Sequence, residues 1–143
     1  MDTMTAILTH LHTILTEDAT LKAAMGGPVR LYLGWGVADA ATPYLVHRME
    51  FKAPSDVFPM REGTYILDIW SDTDNADEAL SIRNRVITLL DELSFDTTDD
   101  DVTSCRLWLQ TDGMIVEEGY WHIATQWNLR FYRTVETANI LNR

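Results

Sequence analysis

The side chains in this chain that could carry chemistry are four histidines, one carboxylate inside an apolar run, and two acidic clusters. Imidazoles at helical or cross-strand spacing are zinc ligands, but His10 and His12 stand two apart on a helical pattern and diverge by about 200°. His47 and His122 fall on extended patterns and could face each other across a sheet, but surface or cross-strand polarity is a better account of them than a metal site. Asp72, Asp74, Asp77 and Glu78 suggest calcium, yet the sixth position of such a loop must be glycine and here it is Asp77. Carboxylates opening a helix are the better account. Asp96, Asp99, Asp100 and Asp101 form a second acidic run, the composition of a solvated loop, with a weak cation site left open. Asp68 lies between Ile66, Leu67, Ile69 and Trp70, where desolvation could make it an acid or base, or where it simply marks a strand's polar face. No nucleophile elbow, phosphate-binding glycine loop or Cys/His pairing occurs. These residues point to no catalytic centre, no cofactor and no metal.

Charge and cysteine content narrow the classes further. The chain has 143 residues and a net charge of −11, which repels nucleic-acid backbones and anionic membranes. Cys105 is the single cysteine, excluding an internal disulfide and a cysteine zinc site. No basic leader precedes an apolar core, and no run of about 18 apolar residues occurs. One domain, 1–143, assembled in a cytoplasm, is the expectation. Of the five tryptophans, Trp121 and Trp127 suit a core, while Trp35 suits an interface.

The elements that position these groups follow from periodicity. Ile7, Leu8, Leu11, Ile14 and Leu15 make an amphipathic first helix, and Asp18 to Met25 a short second turn stopped by Gly26-Gly27-Pro28. Val29, Leu31 and Leu33 alternate in a strand, with Tyr44 to Phe51 as its hairpin partner. Lys52 to Gly63 reads as a loop whose Val57, Phe58 and Met60 suggest a contact arm. Tyr65 to Trp70 is a short strand. Asn75 and Glu78 form a capping box for a helix from Ala76 to Leu93, and Ser94 to Ser104 a polar link. A strand from Cys105 to Gln110 turns at Thr111-Asp112-Gly113 and leads to the final strand, Tyr120 to Arg133. There Trp121, Ile123, Trp127, Leu129 and Phe131 alternate with Tyr120, His122, Gln126, Asn128, Arg130 and Tyr132. At roughly 45 Å this strand exceeds what a small sheet requires, so part of it can serve a neighbouring subunit. The order is α-β-β-β-α-β-β, an α+β domain with two helices on one face of a mainly antiparallel sheet.

Taken together, MTAILTHLHTILTEDATLKAAMGG, PVRLYL, TPYLVHR, TYILDIWSDTDNADEALSIRNRVITLLDEL and WHIATQWNLRFY resemble the small tail-terminator, or tail-completion, family of long-tailed phages and related gene-transfer particles. The resemblance spans nearly the whole chain and is sharpest at Pro43-Tyr44 and at Asp68-Ile69-Trp70 leading into the helix from Glu78. It implies a structural virion protein of the tail or neck that caps the tail tube, ends its polymerisation and offers a surface to the head. It also implies a hexameric ring whose partners are the tail-tube protein and a head–tail connector protein, with DNA passing through unbound. Trp35, Val57, Phe58, Met60 and Arg61 are the candidate subunit or partner interface. A head-side neck adaptor or stopper is the alternative within this class. From another class, a small-ligand-binding domain or an enzyme using Asp68 with His47 or His122 remains open.

Overall fold

The computed structural model describes residues 2–35, 40–53, 60–98 and 102–133. Its elements are α1 (Thr3–Glu17), α2 (Ala19–Met25), β1 (Leu31–Leu33), β2 (Tyr44–Phe51), β3 (Met60–Ser71), α3 (Asp77–Leu90), β4 (Leu93–Thr98), β5 (Val102–Glu117) and β6 (Tyr120–Arg133). The six strands form one sheet in the order β1-β2-β3-β6-β5-β4, antiparallel throughout except where β1 runs parallel to β2. The fold is α+β, as the sequence predicts.

Alternation divides the sheet into two faces. On one, Leu45, Tyr65, Leu67, Ile69, Ile123, Trp127, Leu129 and Phe131 are buried beneath the helices. The helices contribute Ile7, Leu11 and Leu15 from α1, Leu21 and Met25 from α2, and Ile82, Val86 and Leu90 from α3. Each such side chain contributes about 1.5–3 kcal/mol on burial. In β6 the predicted alternation holds through Thr125, whose hydroxyl donates to the Leu67 carbonyl at 2.7 Å and accepts from the Trp127 indole at 2.8 Å. A buried hydroxyl with both functions satisfied sits in an apolar face without penalty.

Several elements differ from the sequence expectation. The second turn is a full helix, α2, giving three helices instead of two. Asp18 caps its first turn and Gly26, at φ 75, closes its last. Asp18 also takes a two-pronged contact from Arg85 of α3, at 2.7 and 2.8 Å, which holds its carboxyl below the usual range and ties α2 to α3. β1 and β2 are parallel, not a hairpin. Arg30 at the foot of β1 donates from Nε to the carbonyls of Ala41 and Pro43, drawing the connection back so that β2 starts beside the start of β1. The segment read as a loop up to Gly63 becomes strand from Met60, because β6 is long enough to pair with it as far as Tyr132.

The polar link from Ser94 is strand β4. Phe95 and Thr97 point inward and Ser94 and Asp96 outward, a half-wet alternation that its Ser, Thr and Asp content disguises. No turn forms at Thr111-Asp112-Gly113. The strand continues past an irregularity between Leu109 and Thr111, Asp112 is held by Arg83 at 2.7 Å, and the chain reverses at Glu118-Gly119, both at positive φ. The capping box is not made either. The Asn75 side chain accepts from the Asp77 amide, while Glu78 accepts from the Ser71 hydroxyl at 2.7 Å and so fastens α3 to β3.

Candidate functional site

Among the described residues no helix packs on the second sheet face, and a group of polar side chains gathers there. Register places Tyr44, Trp70, His122 and Ile115 in one row, and Val46, Asp68, Ala124 and Gly113 in the next. Trp70 stacks on the His122 ring at 3.9 Å and 9°, with Tyr44 and Tyr120 against its other surfaces. His122 Nε2 lies 3.0 Å from Asp68 Oδ1, and Arg48 donates to Asp68 Oδ2 at 3.2 Å. Glu117 stands 3.3 Å from His122 Nδ1. The group borders an open hollow of about 580 Å³, lined also by Gln126 and Thr111.

Asp68 therefore marks the polar face of its strand, the second of the two readings that its neighbours in sequence allow. It is the buried carboxylate of the open face, held by one imidazole and one guanidinium. A carboxylate that orients an imidazole is half of a general-base arrangement. The other half is a nucleophile or bound substrate within reach of Nδ1, and the neighbour found there is the Glu117 carboxylate. The arrangement binds β2, β3 and β6 together at one end of the sheet and equally offers donors and acceptors to a polar partner.

The remaining histidines are dispersed. His47 and His122 occupy opposite faces and do not meet, since His47 shares a row with Leu67 and His122 with Trp70. His47 is buried under α1, with Nδ1 2.7 Å from the Tyr65 hydroxyl and its ring 6.4 Å from that of His12. Burial, aided by His12, pushes the His47 pKa down to about 4, and burial raises the Tyr65 hydroxyl above its ordinary value. His10 stacks on Phe95 at 4.4 Å. Among the described residues no three His, Cys, Asp or Glu side chains gather as metal ligands would. The acidic run at Asp99, Asp100 and Asp101 lies outside the described residues; Asp96 accepts from Ser104.

Of the interface candidates, Trp35 is 81% exposed just beyond β1. Met60 and Arg61 open β3 and are half-buried, with Arg61 donating to the Lys52 carbonyl and lying over the Phe51 ring. Val57 and Phe58 lie outside the described residues. A surface unforeseen from sequence is the end of the β5–β6 hairpin, where Met114, Ile115, Val116 and Tyr120 are exposed. Its signal was available: a β-rich run, MIV, directly before the Glu-Glu-Gly reversal. Farther along the open face, Trp108 lies between Arg106 and Arg130 at 6.0 and 5.7 Å.

No protein-family model and no curated protein matches this chain. Among solved structures it is similar to a chain of the virion of a native gene transfer agent particle, with TM-score 0.71 and 16% identity, covering 90% of this chain and 96% of that one. A second solved chain, whose name carries no function, is similar with TM-score 0.63 and 9% identity over 91% of this chain and 96% of its own length. At these identities the likeness is one of fold.

Proposed function

We propose that this chain is a structural virion protein that caps the tail tube of a phage-like particle, ends its polymerisation and presents the head-joining surface, acting as a ring, six copies on the tail. The observation that carries this reading is the fold shared, over nine-tenths of the chain, with a chain of a gene transfer agent virion. A ring requires two different complementary patches on each subunit, and the chain carries separate apolar patches at the β1 side and at the hairpin end. Trp35 belongs to the first patch, and Val57, Phe58, Met60 and Arg61 are kept as further candidate contact residues in this reading. The net charge of −11 suits a channel through which DNA slides without sticking. Its partners are the tail-tube protein on one side and a head–tail connector on the other, met in the cytoplasm of a bacterial host.

The test is electron microscopy of lysates from the encoding phage or prophage with this gene deleted. Overlong, headless tails of variable length are the expected result. Tails of normal length beside unattached heads would replace the terminator reading with a head-side adaptor or stopper, and intact particles would remove both. A reading from another class, a ligand-binding or enzymatic domain, draws on the Asp68–His122 pair beside its hollow. It predicts small molecules that raise the melting temperature of the parent chain and not that of a folded Asp68→Asn variant. A screen in which no ligand separates the two proteins would remove it.

A further inference from the structure

Among the described residues, exposed large apolar side chains are not scattered. Of the eight among the described residues, six lie in two places: Leu33 and Trp35 at the β1 edge, and Met114, Ile115, Val116 and Tyr120 at the end of the β5–β6 hairpin. These two places belong to opposite sides of one sheet. β1 is its first strand, and among the described residues no strand borders its outer side. At the other side β4 covers β5 only from Val102 to Leu107, after which the Leu109 amide is taken by the Asp91 carboxylate at 2.8 Å. Among the described residues no strand borders the outer side of β5 from Thr111 to Glu117 either. Open strand edges that combine unpaired backbone with apolar side chains are templates for another strand.

We propose that the hairpin end of one copy docks on the β1 edge of the next, joining copies head to tail into one inter-subunit sheet. This deepens the ring reading above and rests on it. Three features of the chain favour a second copy of itself as the occupant. The first is polarity: β1 runs with β2, and β3, β6 and β5 alternate after it, so β5 is antiparallel to β1 and copies related by rotation about a ring axis meet as an antiparallel pair. The second is shape. Beside Leu33, on the helix-covered face, lies a hollow of about 250 Å³ between α1 and the sheet, lined by Thr5, Leu8, Thr9, His12, Leu33 and His47. Register puts Met114 and Val116 on that same face, opposite Ile123 and Trp121, where they can enter the neighbour's hollow. The third is stagger. Leu33 shares a row with Asp112, so bringing Val116 to it slides neighbours by about four residues, an even shift that keeps faces matched and supplies the shear of a sheet closing around an axis. Charge agrees: Arg30 stands at the β1 edge, and Glu117 and Glu118 at the hairpin end.

Disulfide trapping in assembled particles tests this contact. Leu33 and Val116 are each 64% exposed, so cysteine at either position leaves the fold intact. Within one chain they are separated by β2, β3 and β6, roughly 19 Å at the usual strand spacing, too far to bridge. Under a mild oxidant the Leu33→Cys/Val116→Cys chain should give a ladder of linked copies, whereas each single variant stays monomeric. Adding Thr9→Trp, which fills the hollow, should abolish the ladder. Double-variant bands no different from the singles, in particles with tails of normal length, would overturn the edge contact and leave the terminator role standing. A ladder from a strain in which gene deletion leaves particles intact would keep the contact and remove that role.

Discussion

Buried under α1, the His47 imidazole accepts burial only in its neutral form. Its pKa of about 4 lies below the ordinary value near 6.5, so the unfolded chain takes up the proton first as pH falls. The stability associated with neutral His47 is fully present above about pH 6.5 and is lost as pH falls toward 4, a change of roughly 3 kcal/mol. A His47→Gln variant, still able to bond the Tyr65 hydroxyl, should show a flatter dependence of the urea midpoint across that window than the parent. Parallel curves would mean that His47 is not the responsible group. His122, on the other face, has Asp68 and Glu117 as neighbours, so two histidines of similar strand context meet different surroundings. Nothing in a strand's sequence distinguishes a residue on the helix-covered face from one on the other face.

Two glycines separate the elements that the chain was bound to make from those that depend on neighbours. Gly63 stands in β3 where a Cβ would lie 2.8 Å from the Glu50 carbonyl and 3.1 Å from Phe51, so Gly63→Ala should cost about 1–3 kcal/mol in the unfolding midpoint. Gly113, which reads locally as a turn residue, lies mid-strand with nothing within 4 Å of its would-be Cβ and no left-handed φ. Gly113→Ala should be neutral or stabilising by up to about 1 kcal/mol. A marked loss at Gly113 would restore the turn and shorten β5, taking with it the projecting hairpin end. The extra length of β5 and β6 beyond β4 creates that end, and it is the element on which the proposed subunit contact depends.

For the whole molecule, the interlocking of the two ends of the chain is the deciding feature. The N-terminal α1 packs on β4 and crosses to His47 of β2, and the central strands β3 and β6 lie beside each other although a helix and two strands separate them in sequence. No half of the chain can bury its apolar face without the other. Unfolding of the 143-residue chain is therefore expected to be a single cooperative transition, with far-ultraviolet dichroism and tryptophan fluorescence giving coincident melts. Separated melts would divide the chain into more than one unit.

What could be read directly from residues was whatever a local pattern dictates. The stripes of α1 and α3, the alternation of β6 and the α+β class follow from apolar spacing, because periods of 3.6 and 2 each leave one face to bury. The same local rules misplaced the Thr111-Asp112-Gly113 turn, the β4 link and the β1–β2 hairpin. In each, a long-range partner overrode the local signal: Arg83 holding Asp112, β5 pairing with β4, and Arg30 drawing in the carbonyls of Ala41 and Pro43. The union of Asp68 with His122, the separation of His47 from His122, and the two open sheet edges were likewise decided only in three dimensions. Strand order and register determine which residues share a row and which face the helices cover, and neither is encoded within the reach of a single strand.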